Sequence, residues 1–281
     1  MRVFISVDME GVAGIATLDQ TVRGGSGYPR AQELMTAEAN AAIRGAFAGG
    51  ATEVVVNDSH GTMDNLLHGR LDRRARVVFG APAPSCMVRG VEAGDAVARF
   101  IGYHAPASWP GTLAHTFSAS FADLRVNGES SSEADVNALL CGARGVPVGV
   151  LTGDDEICRL AAKSLPDVRL VETKRSHGFS AVDSLHPAEA ADLIEAAVCD
   201  AVRDAGSLPR PALPAQLRVE VDLITPFHAD FVASVPGTQR TGPLTVALDL
   251  GDVDELMRAV TTFYFLATHA AGQLALIAQR R

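Results

Sequence analysis

Lysine is nearly missing from the sequence, in which Lys163 and Lys174 are the only two lysines among 24 basic residues. We attribute the preference for arginine to codon usage rather than to function. Acidic residues outnumber basic ones, and the formal net charge is −9 at pH 7. A chain of this charge is a poor binder of nucleic acid or of an anionic membrane surface. We therefore expect neither of those partners.

Cysteine pairs are missing as well. Four cysteines are spread over the chain without a Cys-x-x-Cys motif, namely Cys86, Cys141, Cys158 and Cys199. Buried free thiols fit this spacing better than a disulfide framework or a cysteine-ligated zinc site.

A long apolar run is the third absence. The apolar stretch at residues 3–7 is too short for a signal peptide. No stretch elsewhere reaches the roughly 18 uninterrupted apolar residues that a membrane helix needs. We expect a cytoplasmic protein.

The residues that are present predict an α/β fold. Hydrophobic residues make up 47% of the 281 residues and charged residues 20%, which is ordinary for a globular protein. Short runs rich in valine and isoleucine, at 3–7, 54–56, 100–101 and 148–151, are typical of strands covered on both faces. Helices are expected at 31–48, from Asp154 or Asp155 to Lys163, and from Pro187 to about Val202. Strands that alternate with helices predict a mostly parallel sheet flanked by helices.

The composition then changes at a proline-rich segment. Residues 207–214 contain three prolines and are predicted to link a domain of residues 1–206 to a smaller α+β domain of residues 215–281. Strands are expected at 217–223 and 245–250, and Asp252 can cap a helix that extends to about Ala267.

Polar clusters follow each strand of the first domain. Residues 8–11 (DMEG) follow the first strand, 57–61 (NDSHG) the second, 102–104 (GYH) the third and 153–155 (GDD) the fourth. Ligands of open α/β sheets bind beyond the carboxyl ends of the strands, so these four clusters can converge. The sequence therefore predicts one functional site there.

Carboxylates and imidazoles dominate these clusters. Asp8 and Glu10 are two residues apart, so their side chains lie on one side of the chain, where they repel unless a cation or protons hold them together. Taken singly, a strand-end carboxylate is more often solvated, and His60 or His104 is more often an ordinary hydrogen-bonded histidine. Together they form a mixed oxygen and nitrogen set suited to zinc or manganese.

Glu133 is a further candidate, because three serines before it can cap a helix and place it in the first turn. Its alternative role is that of a carboxylate that interacts with the helix dipole. His115 is not selected by periodicity.

Seven short motifs follow one another along the chain, at 6–11 (SVDMEG), 57–60 (NDSH), 102–105 (GYHA), 110–111 (PG), His115, 153–155 (GDD) and 236–238 (PGT). Each motif alone is weak, but the ordered set is specific. In order and spacing it resembles, over essentially the whole chain, the bacterial D-aminopeptidases of dipeptide-transport operons.

The resemblance implies a zinc-dependent aminopeptidase that removes an N-terminal D-amino acid from short peptides. It implies two zinc ions per subunit, with Asp8 bridging them, Glu10 and His104 on one ion, and His60 and Glu133 on the other. It implies that His115 is the catalytic side chain, as proton donor, oxyanion stabiliser or nucleophile, and that the protein is a homodecamer of two stacked pentamers.

The chain departs from the resembled pattern near Glu133. Members of the resembled family have a short segment containing Gly-Glu there, whereas this chain has GESSSE at 128–133. Glu129 is therefore a rival ligand, although the spacing from Glu133 to Asn137 favours Glu133. Asp58 and Asp154 are candidates for orienting the histidines, or else for capping strand ends and helix starts.

Two other functions compete with this interpretation. A magnesium-dependent phosphohydrolase of the haloacid-dehalogenase kind would use Asp8 and the 153–155 motif, but it needs a lysine ahead of that motif, and the first lysine is Lys163. A non-catalytic metal-binding or ligand-binding oligomer would have no use for His115.

Overall fold

The computed structural model describes residues 1–81 and 85–279. Its strands are β1 (Arg2–Val7), β2 (Glu53–Asp58), β3 (Arg76–Val78), β4 (Ala98–Tyr103), β5 (Phe121–Val126), β6 (Glu129–Ser130), β7 (Val148–Asp154), β8 (Arg169–Gly178), β9 (Ala181–Ser184), β10 (Leu217–Leu223), β11 (Gln239–Arg240) and β12 (Thr245–Leu250). Its α-helices are α1 (Leu18–Thr21), α2 (Tyr28–Ala48), α3 (Glu133–Ala143), α4 (Asp155–Ser164), α5 (Pro187–Arg203), α6 (Pro226–Val232) and α7 (Val253–Ala278).

A seven-stranded sheet in the order β3-β2-β1-β4-β7-β8-β9 forms the centre of the fold. Neighbouring strands are parallel except for the β8–β9 hairpin. Helices α2 and α5 pack together against one face. The predicted mostly parallel sheet flanked by helices is therefore confirmed.

Most helix boundaries follow local signals that the sequence contains. Helix α2 ends at Gly49, α5 begins with Pro187 at its first turn, and the Asp154 carboxylate caps α4 by accepting the Ile157 N–H at 3.0 Å. The Asp252 carboxylate caps α7 as expected, but this helix extends to Ala278 rather than Ala267. Gly272, a residue type that often ends helices, lies inside α7 instead of ending it.

The second sheet is antiparallel, in the order β11-β12-β10-β5-β6. Its strands β10 and β12 come from the predicted smaller domain, whereas β5 and β6 come from the range assigned to the first. The division at residues 207–214 therefore stays a prediction, and the last two residues of the 215–281 range lie outside the described residues.

The two faces of the central sheet have different neighbours. Val3, Ile5 and Val7 of β1 share a core with α2 and α5, whereas Phe4 shares a core with the second sheet, α3 and α7. Alternating side chains of one strand thus anchor both halves of the fold. Helix α7 is also long and apolar enough to cross a membrane by length and composition, a weak indication because helices of soluble proteins meet the same criterion.

Arg99 is an exception within the apolar core. It lies in β4 between Ala98 and Phe100, is fully buried, and donates one hydrogen bond to the Val97 carbonyl at 3.1 Å. Its Nε and Nη2 have no partner among residues 1–81 and 85–279. Burial lowers the pKa of Arg99 to about 9.

We expect Arg99→Met to stabilise the protein, because methionine fills similar space without a desolvated charge. Exchange of buried ionic groups for apolar ones can add about 1–4 kcal/mol to the free energy of unfolding. Thermal unfolding followed by circular dichroism measures the change. As a control, Arg125→Met should destabilise, since Arg125 contacts Asp123 and Asp222 at 2.8 and 2.7 Å. A lower melting temperature for Arg99→Met would contradict the prediction.

Candidate metal centre

The predicted ligands meet at the carboxyl ends of three adjacent strands. Asp8 follows β1, His60 follows β2 and His104 follows β4, and β1 lies between the other two strands. The chain continues from β1 to one side of the sheet and later returns to the other side, so this edge is a topological switch point. The strand-end clusters at 8–10, 60 and 104 do converge.

Two glycines allow the segments after β1 and β4 to touch. A Cβ on Gly11 would lie 2.0 Å from the Tyr103 carbonyl oxygen, and one on Gly102 would lie 2.4 Å from the Asp8 carbonyl oxygen. Gly102 also has a φ of +73°, in the left-handed region that favours glycine. The close approach brings Asp8 and His104 together.

The five candidate ligands form one buried cluster. His60 Nδ1 lies 2.9 Å from Glu10 Oε2 and 3.3 Å from Asp8 Oδ1. His104 Nε2 lies 3.4 Å from Asp8 Oδ2 and 3.6 Å from Glu133 Oε2. Asp8 thus stands between the two histidines, as a bridging ligand would. Apart from Asp8, the nearest carboxylate partners are Glu10 for His60 and Glu133 for His104. This differs from the expected pairing, although ligand atoms of Asp8, Glu10 and His104 also lie within 4.8 Å of one another.

Backbone carbonyls orient both imidazole rings. His60 Nε2 lies 2.8 Å from the Thr21 carbonyl oxygen and His104 Nδ1 lies 3.0 Å from that of Ala105. A nitrogen facing a carbonyl carries the proton, which leaves His60 Nδ1 and His104 Nε2 to bind a cation.

Glu133 joins the cluster, whereas Glu129 does not. Ser132 caps α3 by accepting the Asp135 N–H, so Glu133 occupies the first helical position. Its carboxylate is buried and accepts the Phe117 N–H at 2.6 Å. Glu129 is exposed in β6.

The cluster has the properties of a cation site. Oδ2 of Asp8 is buried without a hydrogen-bond partner in the described part of the chain. Burial, and then the charge of Glu10, raise the pKa of Asp8 to about 7. Burial alone would lower the pKa of His104, but Glu133 and Asp8 raise it to about 10. A cation would relieve the repulsion between the carboxylates, and the oxygen and nitrogen donors fit zinc.

His115 lies at the open side of the cluster. Its ring stacks on that of His104 with centroids 4.2 Å apart and planes inclined by 9°. Its Nδ1 lies 2.9 Å from the Leu113 carbonyl oxygen, so the proton is on Nδ1 and Nε2 faces Glu133 at 4.0 Å. Burial and the neighbouring His104 lower the pKa of His115. A neutral, partly exposed imidazole with a free Nε2 can accept a proton from a bound reactant.

The carboxylates of Asp58 and Asp154 accept hydrogen bonds from backbone N–H groups rather than from histidines. Asp58 accepts the Leu66 N–H at 2.7 Å, and Asp154 accepts the N–H groups of Thr112 and Ile157. Their capping role is the one observed.

The sequence analysis missed Lys174, which is buried under the cluster. Its ammonium group donates to three backbone carbonyls, those of Glu10, Val12 at 2.9 Å and Ile15 at 2.6 Å. Glu38 of α2 holds the same segment by accepting the Ala13 N–H at 2.8 Å. An ammonium group has three N–H donors on one compact nitrogen, which suits three converging carbonyls. A planar guanidinium does not suit them. Lysine at this position therefore has a structural reason in a chain that otherwise uses arginine.

We expect Lys174→Met to weaken zinc binding about 10–100-fold, because loss of outer supports of a metal site typically costs that much. Competition with a chromogenic chelator measures the affinity. Lys163→Met is the matched control, since Lys163 is exposed at the end of α4. Equal zinc affinity in the two variants would contradict the prediction.

Comparison with known proteins finds matches along most of the sequence. A family model described as D-aminopeptidase matches residues 1–262. A D-aminopeptidase of Bacillus subtilis (strain 168) is 32% identical over 268 residues, which cover 95% of this chain and 98% of the relative.

A solved structure extends the likeness to the fold. The Zn-dependent D-aminopeptidase DppA from Bacillus subtilis, described as a self-compartmentalizing protease, superposes with a TM-score of 0.92 at 32% identity. The match covers 95% of this chain and 98% of that one.

Proposed function

The chain belongs to the D-aminopeptidase family of peptidases, and on that premise we propose that it removes an N-terminal D-amino acid from short peptides or amides. We propose two zinc ions per subunit, held by Asp8, Glu10, His60, His104 and Glu133. The observation that carries the proposal is the buried Oδ2 of Asp8, which lacks a hydrogen-bond partner within the described ranges. The charges or hydrogen bonds of two imidazoles and two further carboxylates act on the same Asp8 carboxyl group.

Bound zinc would supply a Lewis acid and a water molecule of lowered pKa, about 7 in zinc hydrolases. The residues of this chain supply the rest. The free α-amino group of the substrate binds at this centre, which restricts cleavage to the N-terminal residue. His115 Nε2 faces the reacting atoms, accepts a proton as water oxygen bonds to the scissile carbonyl carbon, and returns it to the leaving nitrogen as the C–N bond breaks.

The test is a hydrolysis assay on paired D- and L-aminoacyl amides and dipeptides, combined with elemental analysis. We expect about two zinc ions per chain, loss of activity with a chelator, recovery with zinc, and cleavage of D-aminoacyl substrates. N-acetylated substrates should resist cleavage because they lack the free α-amino group. Metal-free protein that zinc, cobalt and manganese fail to activate would overturn the proposal.

The same assay separates the rival functions. The phosphohydrolase function is not favoured, since the family consists of peptidases. A phosphate ester added to the assay as a substrate tests that function. A non-catalytic binder would hold metal but cleave nothing.

The proposal includes a homo-oligomer, specifically a decamer, in the cytoplasm. The related Bacillus protein is described as self-compartmentalizing, and α7 exposes apolar side chains such as Leu276 and Ile277. The four cysteines are free, as suits a reducing compartment.

Light scattering should give about ten times the chain mass of 29.4 kDa. Ile277→Asp should lower the mass, because a charge at an apolar interface must be desolvated. A wild-type mass equal to that of one chain would reject the oligomer.

A further inference from the structure

A pocket of about 200 Å³ adjoins the metal centre. Its lining includes four residues at the metal centre, Asp8, His60, His115 and Glu133. The apolar part of the lining comes mainly from Met63, Met87, Phe117, Tyr264 and Phe265. The pocket thus joins the reacting groups to a surface that suits a hydrocarbon side chain.

The wall of the pocket comes from four separate segments. Met63 follows β2, Met87 precedes β4, Phe117 follows His115, and α7 contributes Thr261, Tyr264 and Phe265. Methionines adapt their shape to a ligand, whereas the aromatic residues on α7 stand on a regular helix.

Backbone strain marks the same wall. Met63, Cys86 and Phe117 all line the pocket and have φ values of 57°, 43° and 56°, although none is glycine. Such conformations cost about 1–3 kcal/mol each and persist where surrounding structure enforces them, often at ligand sites. The wall is therefore held in shape by packing rather than by local preference.

Size and charge limit what the pocket can hold. Pockets for drug-sized ligands measure roughly 300–1,000 Å³, so this one takes a single residue rather than a peptide. Its described lining contains no lysine or arginine, and its carboxylates, Asp8 and Glu133, belong to the metal-centre cluster. A charged substrate side chain would lose its hydration among apolar groups, and no lysine or arginine of the described lining would pair with a carboxylate.

We propose that this pocket binds the side chain of the substrate's N-terminal residue and selects apolar side chains of leucine to phenylalanine size. The inference rests on the proposed aminopeptidase function. With the α-amino group at the metal centre and the scissile carbonyl at His115, the side chain is the part of that residue left for the pocket. Phe265, at 44%, is the most exposed of the five apolar lining residues, so we place it at the mouth, next to the outer end of a large side chain.

The experiment compares kcat/KM for D-aminoacyl p-nitroanilides of alanine, leucine, phenylalanine, aspartate and lysine. We expect D-Leu or D-Phe to exceed D-Ala by at least about 10-fold, since one methylene group in an apolar pocket changes the rate roughly 10–200-fold. The aspartate and lysine substrates should be poorer than D-Ala.

Two variants assign the selectivity to this pocket. Phe265→Ala should lower kcat/KM for D-Phe about 10-fold and leave D-Ala within about 3-fold, because only the larger side chain reaches the mouth. Thr261→Phe, which fills the pocket, should abolish D-Phe cleavage and retain D-Ala cleavage. Leu193→Ala is the matched control, since Leu193 is similarly exposed, at 45%, on α5 and outside the pocket.

Zinc content is measured in every variant, so that loss of metal is not mistaken for loss of selectivity. If zinc-loaded enzyme cleaves D-substrates but favours D-Ala, or if Phe265→Ala and Thr261→Phe keep the wild-type ratios, the pocket assignment is wrong while the proposed function stands. If no D-aminoacyl substrate is cleaved, the proposed function and the pocket assignment both fail.

Discussion

Replacing His115 by alanine is expected to lower kcat by about 10²–10⁴-fold while both zinc ions stay bound. General acid–base help from one side chain typically contributes that much. The metal is expected to stay because His115 reaches the cluster only through Nε2, 4.0 Å from Glu133, whereas closer donors surround Asp8. Single-turnover hydrolysis of a D-aminoacyl amide and elemental analysis of the same sample measure the two quantities.

Each other outcome for His115→Ala has a definite meaning. A much larger loss with full metal occupancy would suit a nucleophile. Loss of metal would make His115 a ligand. Its ring stacks on that of His104, and ligand atoms of His104, His115 and Glu133 lie within 4.8 Å of one another. Full activity would remove His115 from catalysis. His115→Gln, which keeps a polar group there, should restore little activity if proton transfer is the role.

Replacing His60 or His104 by alanine is expected to remove metal and activity together. Each change deletes one of the nitrogens that backbone carbonyls orient toward Asp8. Metal catalysis is worth several kcal/mol, so loss of the ion should lower kcat by about 10³-fold or more. Zinc content is measured after dialysis, and kcat/KM is measured across a range of added zinc. Both should be lower than in the wild-type protein.

His68→Ala is the control for these variants, because His68 is exposed between β2 and β3. It should keep both zinc and activity. High zinc should partly rescue His60→Ala and His104→Ala, since a weakened site refills by mass action, but it should not rescue His115→Ala. A His104→Ala protein that retained full metal and lost only activity would contradict the ligand assignment.

The convergence of the proposed ligands was largely predictable, because most of them follow strands that the local sequence indicates. Asp8, His60 and His104 each come directly after an apolar run, and parallel strands deliver such positions to one edge of a sheet. His115 was different. It lies in an irregular loop, and only the family resemblance pointed to it.

The features that were missed depend on contacts between distant parts of the chain. Lys174 lies in a strand of mixed polarity, and nothing nearby indicates that its ammonium group meets carbonyls about 160 residues away. The pairing of β10 with β5 joins segments separated by about 90 residues, which hydrophobic periodicity does not register. Helix α7 likewise continues past Gly272 to Ala278, so the predicted end at about Ala267 was too early.

The position of α7 in the chain has a consequence for the order in which the enzyme is made. The proposed ligands are complete at Glu133, whereas the pocket wall waits for Tyr264 and Phe265. Synthesis at about 5–20 residues per second separates these positions by roughly 7–26 s. During that interval, the nascent chain contains every proposed ligand but lacks the helix that forms one wall of the pocket. The proposed selectivity therefore depends on a segment that is made well after the proposed ligands.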